Sequence, residues 1–311
     1  MDNINQYLIG DNLKVLNNID LEFDFCYIDP PYNTNRNFGD FNDTYDNIDD
    51  FISFLEPRLK LIHSKLSERG NLVVHVDTNA VHYVKVVLDK IFGISNFRNE
   101  VIWTTGNQKS VKTKLMRYHD TILVYSKNRN KAIFNQIYTP YDEDYINGMK
   151  KDDRGYYSTS AAKNSQPNVI KRPNLRYEWN GHHNQWWVSK EKMKKLHDDN
   201  RLEYNSKGVP RIKRYVSESK GIPLRDTWTD INSLQGPEKL DYATQKPVKL
   251  IERFVTLYSN KNSNCIDIFA GSGTLGRACK NTNRNYILID INEKGKKIFE
   301  SNIKNTILKF T

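Results

Sequence analysis

The segment NCIDIFAGSGTLGRACKN (residues 264–281) decides the fold of this 311-residue chain. Its apolar run, its glycines Gly271, Gly273 and Gly276 and the helical pattern after them are typical of a strand-to-helix turn. Such a turn lets a ligand approach the backbone, and the helix offers free N–H groups to an anion. Asp290 ends the next apolar run, where a carboxylate can accept hydrogen bonds from ribose hydroxyls. We predict a nucleotide-binding turn; the alternative is that the glycines serve only a tight turn.

The late position of this turn argues against an ordinary dinucleotide-binding order. Only 35 residues follow Gly276, whereas a dinucleotide fold needs several further strands there. The missing strands must come from the start of the chain, where apolar runs alternate with helical patterns at residues 48–66 and 78–92. We therefore predict an α/β fold: a permuted Rossmann-like sheet with helices on both faces, whose nucleotide-binding half is encoded last.

The middle of the chain has a different composition. Residues 128–240 contain four of the five tryptophans and show no clean alternation of strands and helices. We predict a discontinuous main domain, residues 1–127 and 241–311, with residues 128–240 as an inserted smaller domain.

Charge and cysteine content limit the class of protein. The chain carries a net charge of +10, yet residues 1–60 hold 12 acidic and 4 basic side chains. A polyanionic partner, or merely a basic surface, would therefore involve the chain after residue 60. Cys26, Cys265 and Cys279 have neither metal nor disulfide spacing, and no apolar run approaches the roughly 20 residues that cross a bilayer. We expect a cytoplasmic protein without a metal site.

A second motif, in the stretch DFCYIDPPYNTNRNF (residues 24–38), lies at the end of another predicted strand. It comprises Asp29, Pro30, Pro31 and Tyr32. Two successive prolines fix φ near −65° and lower the entropy cost of holding a backbone carbonyl in place. We expect this corner and the glycine turn to share the carboxyl edge of one sheet.

The order of the motifs adds a resemblance. DPPY, then TQKP (residues 244–247), then DIFAGSGT (residues 267–274) resembles the β class of amino-methylating DNA methyltransferases, over most of the chain. LIGDNLKVL near the start and residues 211–231 extend the resemblance to solitary and type III-like modification enzymes. It implies an S-adenosylmethionine-dependent methyltransferase fold, N6 methylation of a flipped-out adenine in double-stranded DNA and an inserted target-recognition domain. It further implies a homodimer and a restriction endonuclease partner.

The chemistry of amine methylation explains the DPPY motif. The lone pair of an exocyclic amine is delocalised into the ring, so two hydrogen-bond acceptors on the amine favour a more pyramidal nitrogen. By the resemblance, the Asp29 carboxylate and the Pro30 carbonyl are these acceptors, and Pro31 adds stiffness. Tyr32 would stack on the flipped base and return about 1–3 kcal/mol of lost stacking. The alternative is that Tyr32 packs in the core and Asp29 caps a turn.

The same resemblance assigns the cofactor residues. Those around the methionine part are Asp267, Phe269, Gly271 and Gly273, with Thr244 and Lys246 near its carboxylate. Asp290 would hold the ribose, and Asp11 of the GDN triplet would hold the adenine amino group. Asp267, Phe269 and Lys246 also have ordinary structural explanations.

Two basic segments are candidates for DNA contact. A predicted loop, residues 106–120, contains four cations suited to phosphate contacts: Lys109, Lys112, Lys114 and Arg117. In the insert, Arg211, Lys213, Arg214 and Tyr215 form a basic and aromatic cluster, which we expect to read bases. WNGHHNQWW (residues 179–187) fits the hydrophobic core of the insert better.

Three other functions stay open. Cytosine-N4 methylation needs the same geometry, and Asp29 favours adenine only by analogy with related families. The second is a catalytically silent DNA-binding subunit, which a cofactor-binding titration would distinguish from an enzyme. A nicotinamide oxidoreductase would bind that cofactor instead.

Overall fold

The computed structural model describes residues 4–31, 36–37, 42–43, 45–106, 112–113, 115–165 and 172–307. The described chain divides into a larger compact unit, Met1–Gln136 with Arg225–Thr311, and a smaller one, Ile137–Leu224.

The first part of the larger unit contains the following strands and helices: β1 (Gln6–Ile9), α1 (Asn12–Asn17), β2 (Phe23–Ile28), β3 (Arg36–Asn37), β4 (Asn42–Asp43), α2 (Ile48–Lys65), β5 (Leu66–Val76), α3 (Val81–Phe92), β6 (Phe97–Thr104) and β7 (His119–Ser126).

The smaller unit contains β8 (Tyr138–Thr139), α4 (Glu143–Asn147), β9 (Lys150–Asp152), β10 (Gly155–Ala161), β11 (Arg176–Trp179), β12 (His182–Gln185), α5 (Lys190–Asp198), β13 (Leu202–Tyr204), β14 (Pro210–Tyr215) and β15 (Ile222–Pro223).

The chain then returns to the larger unit with β16 (Thr227–Trp228), α6 (Val248–Tyr258), β17 (Asn264–Asp267), α7 (Thr274–Thr282), β18 (Asn285–Asp290) and α8 (Glu293–Ile307).

The central sheet has eight strands in the order β1-β18-β17-β2-β5-β7-β6-β16. Every neighbouring pair is parallel except the two that β7 makes, with β5 and with β6. The last two long strands of the chain therefore lie between the first and second strands. This order confirms the predicted permuted α/β sheet.

Both faces of the sheet are covered, which explains the continuous apolar run of β2. Cys26 and Ile28 belong to a buried cluster with α2 and α3 side chains, whereas the alternate residues Phe25 and Tyr27 are buried too. Because successive strand residues point to opposite faces, both faces must be packed. The helix α6 packs against β2 and β5, and α7 packs against α6, β17 and β18.

The connections place a crevice beside β2. From β2 the chain crosses through α2 to β5 on one side, whereas from β17 it crosses through α7 to β18 on the other side. Such a reversal at adjacent strands opens a crevice at their carboxyl ends, where ligands bind in open α/β sheets. The two motifs found in the sequence follow β2 and β17.

The unit boundaries differ from the predicted insertion at residues 128–240. Residues near 133 belong to the larger unit because the Ile133 and Asn135 N–H groups donate to Arg69 (3.1 Å) and Leu257 (2.8 Å). Trp228 belongs there as well, since β16 extends the central sheet and the indole packs on Phe254, with ring centroids 4.6 Å apart. Composition alone did not reveal these long-range contacts.

The smaller unit has a separate core. Its four-stranded sheet has the order β13-β14-β10-β9, and β11 pairs with β12 in a two-stranded hairpin. Trp186 is fully buried among Tyr177, Met193, Leu202 and Ile212. The sequence WNGHHNQWW therefore supplies core side chains, as expected.

Candidate active site

The DPPY corner begins directly after β2. The Asp29 carboxylate forms an ion pair with Lys246 through Oδ2, and the two side chains are only 14% and 13% exposed. The other oxygen, Oδ1, is buried and has no hydrogen-bond partner within the described part of the chain. Pro30 is buried and Pro31 half-buried, while Tyr32 lies outside the described residues. The corner therefore holds a carboxylate oxygen with an unused capacity to accept.

The glycine turn lies at the carboxyl end of the adjacent strand, β17. Gly271 and Gly273 have φ of +51° and +76°, which glycine adopts without strain. Gly273 caps α7 without a side-chain hydrogen bond, so the helix start keeps free N–H groups for an acceptor. The backbone therefore offers the N–H groups that the predicted anion site would need.

The glycines are required by packing inside the protein as well. A Cβ at Gly271 would lie 3.0 Å from the Tyr242 ring, and one at Gly273 would overlap Phe299. The Gly271 carbonyl accepts a hydrogen bond from Tyr7 (2.7 Å), and Gly295 at the start of α8 packs against that carbonyl. The C-terminal helix thus braces the turn from behind.

Two more carboxylates lie beside this turn. Asp290 accepts from the Gly271 N–H (2.8 Å) and Asp267 from the Phe269 N–H (2.9 Å). Burial raises the pKa of Asp267 well above its usual range, and the charges of Asp29 and Asp290 contribute to the rise. Burial also raises the pKa of Asp290. A cationic or hydroxyl-bearing ligand would stabilise both ionised groups.

The TQKP segment reaches the same place from the start of α6. The Thr274 hydroxyl at the head of α7 donates to the Lys246 carbonyl (3.5 Å), and Thr244 is half-buried. Gln245 bonds the backbone of Leu240 (2.7 Å) and of Glu238 (3.0 Å), so the segment is held in a compact loop. This loop carries Lys246 to Asp29.

The GDN triplet lies at the end of β1, beside β18. Asp11 caps α1 through the Lys14 N–H (3.1 Å) and pairs with Arg58 (3.3 Å). The buried Asn12 donates to the Ile268 carbonyl (2.9 Å) and accepts from Arg58 Nε (2.7 Å). Sequence reasoning missed Asn12 and Arg58; the signal was a polar residue on the apolar face of α2.

A buried polar chain under the corner was missed as well. His75 is fully buried between Tyr27 Oη (3.0 Å) and Asp120 Oδ2 (3.1 Å). Asp120 also pairs with Arg117, which pairs in turn with Asp77. Burial alone would raise the pKa of Asp120, but the hydrogen bond and charge of His75 lower it instead. These contacts fix the carboxyl ends of β2 and β5 to the amino end of the antiparallel strand β7.

The Arg117 guanidinium, predicted to contact DNA, is engaged by Asp77 and Asp120, so a phosphate would compete with these two carboxylates for it. Lys112 is exposed, as a phosphate contact requires. Lys109 and Lys114 lie outside the described residues.

The cations of the basic cluster in the insert also have partners within the protein. Lys213 is buried and pairs with Asp152 (2.8 Å), and Arg211 bonds the hydroxyl (2.8 Å) and carbonyl (2.9 Å) of Thr159. Arg214 is exposed and donates to the Ser160 hydroxyl (3.2 Å). Lys213 therefore supports the sheet, and in this position its ammonium binds Asp152.

The predicted residues thus gather at the carboxyl ends of four adjacent parallel strands: β1 with Asp11, β18 with Asp290, β17 with Asp267, Phe269 and the glycine turn, and β2 with Asp29. No group of three or more metal-ligating side chains occurs among the described residues. None of the described helices is long and apolar enough to cross a membrane.

Comparison with known proteins identifies the family. A family model described as DNA methylase, for the N6 and N4 enzymes, matches residues 23–301. The chain belongs to the N6/N4 DNA methylase family.

Two curated relatives are type II and type III proteins. The methylase is 28% identical to the type II methyltransferase M.KpnI of Klebsiella pneumoniae, over 87% of this chain and 75% of that protein. It is 26% identical to the Mod subunit of the type III restriction-modification enzyme StyLTI of Salmonella typhimurium, over 93% of this chain and 52% of that protein. The chain thus spans about half of that Mod subunit.

A solved structure shares the fold. The M1.HpyAVI complex with S-adenosylmethionine matches with a TM-score of 0.56 and 17% identity, over 96% of this chain and 98% of that chain.

Membership in the family gives S-adenosylmethionine as the cofactor of this methylase. The described side chains fit its chemistry. The buried carboxylate of Asp267 fits an ammonium, the half-buried carboxylate of Asp290 fits ribose hydroxyls, and the Lys246 cation fits a carboxylate. The unused Asp29 oxygen next to them fits an amine donor.

We expect Gly295→Ala to displace the glycine turn, because α8 packs against the Gly271 carbonyl. The added Cβ would overlap the Gly271 carbonyl and lie 2.7 Å from the Tyr7 hydroxyl, so α8 must move away. Overpacking of this kind costs about 1–3 kcal/mol. Calorimetric titration should show S-adenosylmethionine affinity reduced roughly tenfold.

Gly148→Ala is the matched control, because its Cβ would meet nothing closer than 3.6 Å. If both variants bound S-adenosylmethionine as tightly as the unchanged methylase, α8 would not support the turn as we describe.

We expect Asp267→Asn to stabilise the ligand-free methylase at high pH. A carboxyl whose folded-state pKa is raised binds more protons folded than unfolded, so it lowers the free energy of unfolding as the pH rises above its ordinary value. Asparagine keeps the acceptor for the Phe269 N–H. The gain in Tm should be larger at about pH 8 than at about pH 5.

Asp230→Asn provides a control of opposite sign. The hydrogen bond from Arg253 lowers the pKa of Asp230, so that carboxylate stabilises the fold above its ordinary pKa, and its loss should lower Tm most at high pH. A gain for Asp267→Asn that is independent of pH would contradict the assignment.

Proposed function

We propose that this DNA methylase transfers the methyl group of S-adenosylmethionine to the N6 amine of a flipped adenine in duplex DNA. The observation that carries the proposal is Asp29, whose Oδ2 is held by Lys246 while its buried Oδ1 has no described partner. A buried acceptor left without a donor costs about 1–3 kcal/mol, and the amine of a substrate would remove that cost.

In the proposed mechanism Asp29 and the Pro30 carbonyl accept the two amine hydrogens and direct the nitrogen lone pair toward the donor. Pro30 and Pro31 keep the carbonyl in place, and Tyr32 stacks on the base. Bound S-adenosylmethionine supplies an activated methyl group on a sulfonium. The rate gain comes mainly from positioning and from electrostatic preorganisation at this crevice.

The cofactor roles are proposed residue by residue. Asp267, Phe269, Gly271 and Gly273 hold the methionine part, while Thr244 and Lys246 hold its carboxylate. Asp290 binds the ribose and Asp11 the adenine amino group. Their common position at four adjacent strand ends supports this set.

Lys246 has two tasks in this proposal. In the ligand-free protein its ammonium neutralises Asp29, and a bound methionine carboxylate would compete for the same ammonium. Cofactor binding would then loosen the ion pair and leave the Asp29 carboxylate more available to the amine. Removing one partner of a mostly buried ion pair leaves an uncompensated charge, which a protein tolerates poorly unless another partner replaces it.

The choice of adenine over cytosine rests on the aspartate at the first motif position, by analogy within the amino-methyltransferases. The restriction-modification context rests on the names of the relatives. We propose a restriction endonuclease partner, a homodimer, and a role in target recognition for the smaller unit. Exposed Lys112, with Lys109 and Lys114, would contact phosphates.

The direct test incubates the methylase with labelled S-adenosylmethionine and mixed-sequence duplex DNA, followed by nucleoside mass spectrometry. We expect N6-methyldeoxyadenosine alone, and Asp29→Ala should lower the rate roughly 100-fold or more while cofactor affinity stays within a few-fold. Label on the cytosine N4 amine would establish the alternative target. Cofactor and DNA binding without transfer would establish a silent subunit.

Asp24→Ala is the matched control, since it removes a carboxylate from the opposite end of the same strand. Asp24 accepts from Ser67 (2.8 Å) and Ser263 (2.7 Å), so its loss affects stability but not the crevice. An Asp29→Ala rate close to that of Asp24→Ala would refute the acceptor role.

A further inference from the structure

The hairpin of β11 and β12 has two faces of opposite character. Its two-residue turn, Asn180 and Gly181, has φ of +50° and +75°, which is typical of a tight β-hairpin turn. The register pairs Arg176 with Gln185 and Glu178 with His183. Side chains directly opposite each other share a face, so these four point the same way.

The inward face is anchored in the core of the smaller unit. Tyr177 and Trp186 pack with Met193, Leu202 and Ile212, and the Trp186 indole donates to the Tyr177 carbonyl (2.8 Å). The turn is tied down too, because Asn180 donates to the Gly208 carbonyl (2.9 Å). The hairpin is therefore a rigid platform, which suits a recognition surface.

The outward face presents exposed side chains that are suited to recognition. Arg176, Glu178 and His183 are exposed, and Trp187, two residues after the end of β12, is 50% exposed. The side chains of Arg176 and His183 make no hydrogen bond or ion pair with any residue that the structure describes.

Several cations of the unit differ from Arg176 because they have partners within the unit. Five of them form ion pairs with carboxylates of the same unit: Lys150, Arg154, Lys194, Arg201 and Lys213. The cations of the predicted cluster are also engaged, Arg211 with Thr159 and Arg214 with Ser160. Arg176, without an ion pair among the described residues, therefore lies on the same hairpin segment as the exposed Trp187 indole.

We propose that the outward face of the β11–β12 hairpin reads base edges in the major groove of the target DNA. This inference rests on the proposed function. The major groove is about 12 Å wide and admits a two-stranded ribbon. Arg176 would donate a bidentate pair to guanine, Glu178 would accept from the cytosine amine, and Trp187 would contact a thymine methyl.

The charge of the unit agrees with a DNA partner. Residues 137–224 contain 17 basic and 11 acidic side chains, and a basic surface attracts the phosphate backbone. Glu178 argues against a purely phosphate-binding role for the hairpin, since its carboxylate would repel phosphates. A mixed face of arginine, glutamate, histidine and tryptophan matches base edges better than it matches a uniform polyanion.

The test selects bound sequences from a randomised duplex pool, using the full-length protein, the variants Arg176→Gln and Trp187→Ala, and the control Arg154→Gln. The wild-type protein should enrich one motif. Arg176→Gln should lower the preference for guanine at one position by about 5- to 150-fold, the equivalent of 1–3 kcal/mol. Trp187→Ala should relax a neighbouring position. Arg154→Gln, which removes the same charge from an ion pair with Asp199, should select the wild-type motif.

Three outcomes overturn the proposal: a wild-type pool without sequence preference, Arg176→Gln and Trp187→Ala pools identical to the wild-type pool, or an equal change in the Arg154→Gln pool. Thermal unfolding of each variant excludes misfolding as the cause of a change. The selection measures binding alone, so a changed motif would support base reading even if the methyl-transfer assay failed.

Discussion

The contact between Lys246 and Asp29 joins two segments that lie 217 positions apart in the chain. It exists because a parallel sheet gathers the carboxyl ends of its strands on one edge, and because β17, encoded late, lies beside β2, encoded early. Three buried or half-buried carboxylates, Asp29, Asp267 and Asp290, share that edge with the Lys246 ammonium. Three carboxylates thus share one ammonium, so a cationic, hydroxyl-rich ligand would stabilise their ionised forms.

Specific contacts also hold the strand ends at this edge in place. Asn12 and Arg58 fix the start of α1 to the end of β17, and Gly295 lets α8 approach the Gly271 carbonyl. On the other side His75 joins Tyr27 to Asp120. A residue that must hold a reacting group within a fraction of an ångström needs this kind of support from its neighbours.

The sequence predicted the sheet, its permuted order and the meeting of the two motifs, because a strand end followed by chemically unusual residues is visible in a local pattern. His75 and Arg58 were missed because a single polar residue within an apolar run gives no motif. The ion pairs of Arg117 with Asp77 and Asp120, and of Lys213 with Asp152, were missed because no local motif marks them. Asp152 lies 61 positions from Lys213. The smaller unit, Ile137–Leu224, differs from the predicted insert at residues 128–240 for a similar reason, since Trp228 pairs with β6 from far along the chain.

The central claim is that the donor and the amine acceptor share one crevice between β2 and β17. A crystal structure of the protein with S-adenosylmethionine tests it most directly, through the distance from the sulfonium methyl carbon to Asp29 Oδ1. The account predicts roughly 6 Å or less, the sum of a near-attack distance and a hydrogen bond. A methyl carbon on the opposite edge of the sheet, or separated from Asp29 by an intervening strand, would contradict it.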